Sequence, residues 1–328
     1  MSVFDLFKTK VKNAAKKPRL VFPEGTDLRV LKAATKLEAE KLIEVTLLGR
    51  KSEIEKLASD NNLDLTGINI IDPDQYANFE KMCQKFIEVR KGKNTLDDAH
   101  KMLKAGSYFG TMLVKMDLAD GMVSGAAHST ADTVRPALQI VKTAPGMHRV
   151  SGVMIMERDD ERYIFADCAM NIDPDSDTLA EIGYEAAKIA KMAEIDPKVA
   201  FLSFSSKGSA KGDMVTKVQD AVAKFKEAHP DIPADGELQF DAAFVPSVGE
   251  RKAPGSKVAG HANVFVFPEL QSGNIGYKIA QRLGKFTAVG PILEGLAAPI
   301  NDLSRGASSE DVYYMGILTA AQTLAKDE

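Results

Sequence analysis

The sequence is poor in the features that mark several classes of protein. It has no tryptophan and only two cysteines, Cys83 and Cys168, so without an export signal we expect no disulfide framework and a reducing, cytoplasmic compartment. No apolar run approaches the roughly 20 residues that span a bilayer. The net charge of −4 argues against nucleic-acid binding by bulk electrostatics, although a local basic cluster could still hold a small phosphorylated ligand.

Several ligand motifs are also missing. The loop "SSKGSAKGD", Ser205 to Asp213, satisfies neither the P-loop pattern nor the dinucleotide fingerprint, and its lysines are as compatible with solvent as with a ligand. The aspartate-rich stretch "FADCAMNIDPDSD" lacks the spacing of a calcium loop and has no accompanying pair of metal-ligating histidines, so turn and capping roles are expected. Cys168 within it is either a nucleophile or a buried inert thiol, and its strand-end position favours the second.

The arrangement of apolar segments indicates an α/β protein. Short apolar strand candidates alternate with amphipathic helix candidates along most of the 328 residues, which is typical of mostly parallel sheets flanked by helices. The length favours two domains, and Pro145 with Gly146 marks a boundary. The N-terminus lacks the apolar core and cleavage pattern of a targeting peptide. Its apolar residues instead predict a short amphipathic helix packed on the body: Val3, Phe4, Leu6, Phe7 and Val11.

Two predicted helices begin with the same Ser-x-x-Asp capping pattern. In "HSTADTVR", Ser129 caps a helix that carries Asp132 and Arg135. Because this helix follows a strand and "SGAAH", free backbone N–H groups are expected to face the carboxyl edge of the sheet, where they and the guanidinium could bind an anion. His128 precedes the cap and could contact the same anion or only the backbone.

The second pattern lies in "LSRGASSEDVYYM". Ser308 and Asp311 are fully explained as the capping box of the last helix. Ser304 and Arg305 lie before the helix in a glycine-containing loop, from which they could reach a bound anion. The two capped helix starts would form a paired anion site if they met in space.

Seven segments, in the same order along nearly the whole chain, resemble the phosphotransacetylase (phosphate acetyltransferase) family. They are "VFPEGTDLRVLKAA", "DGMVSGAAHSTADTVRPALQIVKTAPG", "FADCAMNIDP", "SFSSKGSAKGD", "DGELQFDAAFVPSVGERKAPGS", "GHANVFVFPELQSGNIGYKIAQRL" and "GPILEGLAAPINDLSRGASSEDVY". The resemblance implies an architecture like that of isocitrate and isopropylmalate dehydrogenases, with a cleft between two α/β domains. It also implies that the chain crosses twice, giving domains of residues 1–148 with 290–328 and of residues 149–289, and that the protein forms a homodimer.

The resemblance implies reversible acetyl transfer between acetyl phosphate and coenzyme A, giving acetyl-CoA and inorganic phosphate, with no metal or redox cofactor in the chemical step. By motif position, Asp311 resembles the general base and Ser304 the residue that polarises the acyl carbonyl. The arginines that resemble substrate-binding groups are Arg305, Arg135 and Arg90. Ser129 and Thr130, beside His128, match the segment that receives phosphate, and Cys168 matches a cysteine near the cleft that is not acylated.

Three other functions are alternatives to acetyl transfer between acetyl phosphate and coenzyme A. A phosphate butyryltransferase would use the same residues on a longer acyl group and would differ only in pocket size. A dehydrogenase-like oxidoreductase would share the architecture, but its nucleotide fingerprint and acidic metal cluster are absent from the sequence. A non-catalytic acyl-CoA-binding regulator would bind coenzyme A without making a thioester.

Overall fold

The computed structural model describes residues 1–325, which form two compact units. The first consists of residues 1–145 and 296–325 and the second of residues 146–295. The sequence predicts that the chain returns from the second unit to the first between residues 289 and 290. This point falls inside a strand, Thr287–Glu294, that pairs antiparallel with Ser151–Arg158 of the second unit, and the pairing keeps the chain in that unit until Gly295.

The elements follow one another in alternation. Residues 1–145 contain α1 (Val3–Lys12), β1 (Arg19–Phe22), α2 (Leu28–Ala39), β2 (Glu44–Leu48), α3 (Lys51–Asp60), β3 (Asn69–Ile71), α4 (Phe79–Val89), α5 (Leu96–Met102), α6 (Gly106–Lys115), β4 (Gly121–Ser124) and α7 (Thr130–Pro136). Residues 146–295 contain β5 (Ser151–Arg158), β6 (Glu161–Ala166), α8 (Ser176–Met192), β7 (Val199–Leu202), α9 (Asp213–Ala228), β8 (Ala234–Leu238), α10 (Phe240–Phe244), α11 (Pro246–Lys252), β9 (Val264–Val266), α12 (Leu270–Arg282) and β10 (Thr287–Glu294). The last segment adds β11 (Ile300–Asp302) and α13 (Ser309–Leu324). A 3₁₀ turn at Pro73–Gln75 and a π-helical turn at Ala137–Val141 complete the connections.

The sheet of the first unit is parallel throughout, in the order β11-β4-β1-β2-β3. The central strands β1 and β4 are almost entirely buried, as expected for a parallel sheet covered by helices. Because β11 pairs with β4 and β4 with β1, the carboxyl ends of these three strands are neighbours. The loops that follow them therefore leave the same stretch of the sheet edge.

The sheet of the second unit is mixed, in the order β10-β5-β6-β9-β7-β8. Its β10–β5 and β5–β6 pairs are antiparallel, whereas β6–β9, β9–β7 and β7–β8 are parallel. Phenylalanines and small residues fill the core on one side of this sheet, including Phe165, Phe265 and Phe267. The predicted α/β class, with parallel pairing dominant and helices flanking both sheets, is confirmed.

The N-terminal helix packs as predicted. Val3, Leu6, Phe7 and Val11 of α1 are buried, and the ring of Phe4 stacks on Tyr314 of α13 at 4.0 Å between centroids. This contact anchors the last helix, whose first turn belongs to the candidate site. None of the helices within residues 1–325 is both long and apolar enough to cross a membrane.

Candidate functional site

The loops after β1, β4 and β11 meet at the carboxyl edge of the first sheet, where ligands of open parallel sheets commonly bind. Asp302 at the end of β11 is in register with Ser124 at the end of β4. Gly125 follows with a φ of +104°, and a Cβ atom there would overlap with Oδ1 of Asp302. A glycine is therefore needed for the two loops to approach so closely. Thr130 adds a further tie, since its hydroxyl donates to Oδ2 of Asp302 at 2.6 Å.

Arg29, in the first turn of α2, joins these loops. Its Nη1 donates to the carbonyl oxygens of Arg305 (2.8 Å) and Ala307 (2.9 Å), and its Nη2 donates to that of Ala126 (2.7 Å). Asp27 holds the guanidinium in place through Nε and Nη2, and this pairing lowers the pKa of the Asp27 carboxyl. The two capped helix starts therefore lie on either side of one fixed arginine, and the spatial meeting that the sequence left open is observed.

Glu24 occupies the backbone donors of the loop after β4. Its carboxylate, in a residue that is only 6% exposed, accepts N–H bonds from Gly125, Ala126 and Ala127 at 3.1 Å each. It also contacts Nδ1 of His128 at 2.8 Å. A carboxylate of the chain thus binds the N–H groups of Gly125, Ala126 and Ala127, which lie ahead of the helix start, so an anionic ligand cannot use these three groups.

The first capping box forms as predicted at α7. The backbone N–H and the hydroxyl of Ser129 both donate to Oδ2 of Asp132, at 3.1 Å and 2.7 Å. The hydroxyl contact lowers the pKa of the Asp132 carboxyl, and the nearby charges of His128 and Arg135 act in the same direction. Burial has the opposite effect on Asp302, whose carboxyl has a raised pKa. The pKa values of the Asp132 and Asp302 carboxyls are therefore shifted in opposite directions.

The second capping box forms at α13. Ser308 donates its N–H and its hydroxyl to Oδ2 of Asp311, both at 2.8 Å, and the Asp311 N–H donates back to the Ser308 hydroxyl at 3.2 Å. Among residues 1–325, Oδ1 of Asp311 accepts no hydrogen bond, and the residue is exposed. The box therefore uses one carboxylate oxygen and leaves the other available to a ligand.

Three more side chains that the sequence identified are exposed around these boxes: Ser304, Arg305 and Arg135. Among residues 1–325, the Ser304 hydroxyl takes part only in a long bond, which it accepts from the Gly306 N–H at 3.3 Å. In the described part of the chain, neither guanidinium has a hydrogen-bond or salt-bridge partner. Two cations without a partner, one beside each capped helix, are suited to an anion that carries several oxygens.

Arg90 lies at the end of α4 and is fixed more firmly. Its Nε donates to Oδ1 of Asn94 at 2.9 Å, and its Nη1 reaches the carbonyl oxygen of Gln139 at 3.4 Å. The Tyr108 hydroxyl donates to the side chain of the same glutamine at 3.0 Å. Burial raises the pKa of Tyr108, and the charges of Arg135 and Arg90 oppose that rise, so both arginines lie near this tyrosine.

Cys168 belongs to the second unit and does not join these groups. It is 1% exposed within the core, and burial raises the pKa of its thiol well above the usual range. The thiol is therefore held protonated, which agrees with the reading of an inert cysteine. In this structure it has no surface for contact with a substrate, and its place among the substrate-binding residues stays a prediction.

The other polar segments of the second unit serve structural roles. Asp167 accepts four backbone N–H bonds, from Gly152, Ala169, Met170 and Asn171. Asp175 caps α8, and Lys207 of the "SSKGSAKGD" loop pairs with Asp235. Within residues 1–325, no group of three or more His, Cys, Asp or Glu side chains is placed to hold a metal ion.

Glu24, Asp27 and Arg29 are the site residues that sequence reasoning missed. All three lie in "VFPEGTDLR", within one of the segments that resemble the family. The signal that could have found them is a cluster of charged residues directly after a buried strand, because that position lies at the ligand-binding edge of a parallel sheet.

The chain was compared with known families and proteins. The model of the phosphate acetyl/butaryl transferase family matches residues 3–320. A phosphate acetyltransferase of Bacillus subtilis is 59% identical over 98% of this chain and 99% of that protein. A phosphotransacetylase structure from Streptococcus pyogenes has a TM-score of 0.96 and 57% identity, with 99% of each chain covered. The EutD phosphotransacetylase structure from Staphylococcus aureus has a TM-score of 0.93 and 53% identity, with 98% of each chain covered. These matches confirm the resemblance found in the sequence, and the chain belongs to the phosphate acetyl/butaryl transferase family.

Proposed function

We propose that the protein catalyses reversible acetyl transfer between acetyl phosphate and coenzyme A, giving acetyl-CoA and inorganic phosphate. The observation that carries the proposal is the meeting of the 125–130 and 303–311 loops around Arg29, with an unpaired arginine beside each. Relatives at 53–59% identity are named for this activity. The butyryl alternative has less support, because none of these three relatives carries that name.

In this proposal the phosphoryl group binds between the two capped helix starts. Arg305 and Arg135 would pair with its oxygens, since guanidinium groups bind phosphate in a bidentate manner. Arg90 would add positive charge from the end of α4. Ser129, Thr130 and His128 would complete the phosphate contacts from the start of α7.

Asp311 would accept the thiol proton through Oδ1, the oxygen that the capping box leaves unused. The thiolate would then attack the acetyl carbonyl, and the Ser304 hydroxyl would donate to the oxyanion that develops. The α13 capping box fixes the direction of the base, because Oδ2 is tied to both donors of Ser308. Capping and base chemistry thus use different oxygens of one carboxylate.

The proton transfer needs help from the surroundings. A thiol has an ordinary pKa of about 8.5 and an aspartate of about 3.9, so the transfer is uphill by about 6 kcal/mol in water. Arginines near the sulfur would stabilise the thiolate as it forms, and exclusion of water by coenzyme A would strengthen that attraction. Holding two large anionic substrates in line contributes further, because it removes the entropy cost of their encounter.

The remaining features of the proposal concern partners and setting. Coenzyme A is a substrate, and the chemical step uses no metal or redox cofactor. Cys168 is not acylated, since its thiol is buried and held protonated. We propose a homodimer in the cytoplasm, for which the two free cysteines are in keeping with a reducing compartment. Light scattering gives the molar mass that tests the dimer.

The test of the activity is direct. Purified protein is mixed with coenzyme A and acetyl phosphate, and thioester formation is followed by ultraviolet absorbance. We expect rapid thioester formation that needs both substrates, with a larger kcat/KM for acetyl phosphate than for butyryl phosphate. Absence of a thioester with folded protein would contradict the proposed function, and equal or faster turnover of butyryl phosphate would reassign the substrate.

A further inference from the structure

The leaving group of the proposed reaction needs a proton. The second pKa of a phosphate ester is about 6, so an acyl phosphate is mainly a dianion at neutral pH. If its C–O bond broke without proton transfer, the product would be the phosphate trianion, the conjugate base of a very weak acid. Arginines can bind that charge, but they do not supply the proton that ends on phosphate. A nearby proton donor would therefore lower the barrier to C–O cleavage.

His128 has the geometry of such a donor. Its Nδ1 faces the Glu24 carboxylate at 2.8 Å, so the proton of that hydrogen bond resides on Nδ1 whenever the carboxylate is ionised. In the described residues, Nε2 makes no hydrogen bond, and 56% of the side chain is exposed. The ring thus presents Nε2 outward, from the loop directly ahead of Ser129 and Thr130.

Glu24 is itself fixed. Three backbone N–H groups of the same loop bind its two oxygens, and its side chain is 5% exposed. The carboxylate can neither rotate away from the ring nor move independently of the loop. This is the arrangement in which a carboxylate sets the tautomer of a histidine and stabilises its cation.

We propose that His128 donates the proton from Nε2 to the departing phosphate oxygen, and that Glu24 is the positioning residue that holds the Nδ1 proton in place. This inference rests on the proposed function. In the forward direction, the C–S bond forms as the thiol proton passes to Asp311, and the C–O bond then breaks with its electron pair on the phosphate oxygen. The Nε2 proton moves to that oxygen and gives HPO₄²⁻. Asp311 returns its proton to solvent and His128 regains one, which closes the cycle.

Several charged groups lie around this pair and bear on its pH dependence. Glu24 contacts the ring from the loop after β1. Asp132 of α7 lies within electrostatic range of the ring, and Arg135 lies within electrostatic range of Asp132. Arg29 of α2 and Asp302 of β11 lie within electrostatic range of Glu24. The carboxylate contact at Nδ1 is the closest of these and fixes which ring nitrogen faces Glu24.

A second carboxylate–histidine pair supplies the control. In the second unit, Glu181 contacts Nδ1 of His148 and accepts the N–H groups of His148 and Arg149. The His148 side chain is 80% exposed and follows the loop at the unit boundary. The Glu181–His148 pair of the second unit therefore repeats the local geometry of the Glu24–His128 pair of the first unit.

The experiment compares two amides in place of the ring. His128→Asn keeps a donor where Nδ1 lies, whereas His128→Gln keeps one where Nε2 lies, and neither amide can give up a proton. Thioester formation is measured from about pH 6 to about pH 9, which spans histidine titration. We expect both variants to lose about 10²-fold in kcat, with a nearly unchanged KM for acetyl phosphate in His128→Gln. The kcat of both variants should also depend less on pH over this range than the kcat of the wild type.

Glu24→Gln should retain more activity, with kcat lowered about tenfold, because a neutral amide no longer fixes the proton on Nδ1 of the ring. His148→Gln should match the wild type. Histidine ¹H–¹⁵N spectra give a readout independent of activity: His128 should be protonated on Nδ1 at high pH in the wild type and lose that preference in Glu24→Gln. A His128→Gln enzyme with wild-type kcat and pH profile would overturn the inference while leaving the proposed function intact, whereas an inactive wild type would contradict the function itself.

Discussion

Two helices of the first unit, α7 and α13, begin with the same Ser-x-x-Asp box, yet their aspartates have different surroundings. Asp132 lies between His128 and Arg135, and its pKa is lowered by Ser129 and by both of these charges. Asp311 is tied only through Oδ2 to Ser308, and within the described residues no cation pairs with it. A carboxylate held as an anion by neighbouring charges is a poor proton acceptor. The two boxes share one hydrogen-bond pattern and differ in the charged side chains around the carboxylate.

The largest expected effect comes from removing the two carboxylates in turn. Asp311→Asn should lower kcat by about 10³-fold, within the range of general-base contributions, because the amide cannot accept the thiol proton. Asp132→Asn should change kcat by less than about tenfold, since it weakens a cap and removes one charge near His128 but removes no group that exchanges a proton with a substrate. Thioester formation at saturating substrates measures both. Equal losses of kcat in the two variants would contradict the different roles proposed for Asp311 and Asp132.

The contrast between these boxes was only partly predictable from sequence. The boxes themselves are local, with Ser and Asp three residues apart, and both were predicted. The meeting of their loops depends on β11 lying beside β4, a pairing of segments more than 170 positions apart in the chain, as the Thr130–Asp302 bond illustrates. The role of Glu24 likewise depends on contacts more than 100 positions away. Periodicity and turn residues carry no information about such partners.

The domain limits show the same dependence on distant pairing. Pro145 and Gly146 marked the first crossing, since a local break in helix-forming sequence is visible there. The second crossing lies at Gly295 rather than at residue 289 because β10 pairs with β5 across its whole length. No local signal at Val289 or Pro291 distinguishes a strand that stays in the second unit from one that returns to the first.

Burial also changes the pKa of a carboxyl group in the second unit, that of Glu185. Glu185 is 1% exposed, Oε1 has no hydrogen-bond partner in the described chain, and burial raises its pKa to about 8. Because the folded state binds this proton more tightly than the unfolded chain, stability should fall as pH rises from about 4.5 to about 8. Glu185→Gln should therefore stabilise the protein at pH 8 by on the order of 3 kcal/mol, and have little effect near pH 4.5.

Urea denaturation at the two pH values measures this difference. Glu227→Gln is the matched control, because Glu227 is an exposed glutamate of the neighbouring helix α9. A uniform shift of the Glu185→Gln variant at both pH values would show that its effect is packing and not ionisation.

The next largest effect should come from replacing the arginine beside each capping box. Arg305→Ala and Arg135→Ala should each raise the KM for acetyl phosphate about tenfold, the loss of one charge-assisted pair with phosphate. Arg305→Ala should also lower kcat, because this residue adjoins Ser304. Arg50→Ala, which removes only an exposed pair with Glu53, should leave both constants unchanged. If the two site variants saturate like the wild type, the phosphate does not bind between these helices.

The smallest effect should come from the capping serines. Ser129→Ala and Ser308→Ala should each cost about 1 kcal/mol of stability, as loss of a cap usually does. Ser308→Ala should also reduce kcat, since it frees the carboxylate that the box directs, whereas Ser129→Ala should instead raise the KM for acetyl phosphate, since it removes a proposed phosphate contact. Denaturation midpoints and turnover, measured on the same preparations, separate the two consequences. Loss of activity from Ser129→Ala alone would reverse the assignment of the two boxes.

The proposed transfer between bound substrates at this sheet edge is tested most directly with the wild-type protein. The measurement is the exchange of radiolabelled inorganic phosphate into acetyl phosphate. In a ternary complex the acetyl group leaves phosphate only when the thiol of coenzyme A attacks. A ternary-complex mechanism therefore predicts that labelled phosphate exchanges when coenzyme A is present and does not exchange when it is absent. Exchange in the absence of coenzyme A would reveal an acetylated enzyme, for which Cys168 would be the first residue to examine, and would contradict the account.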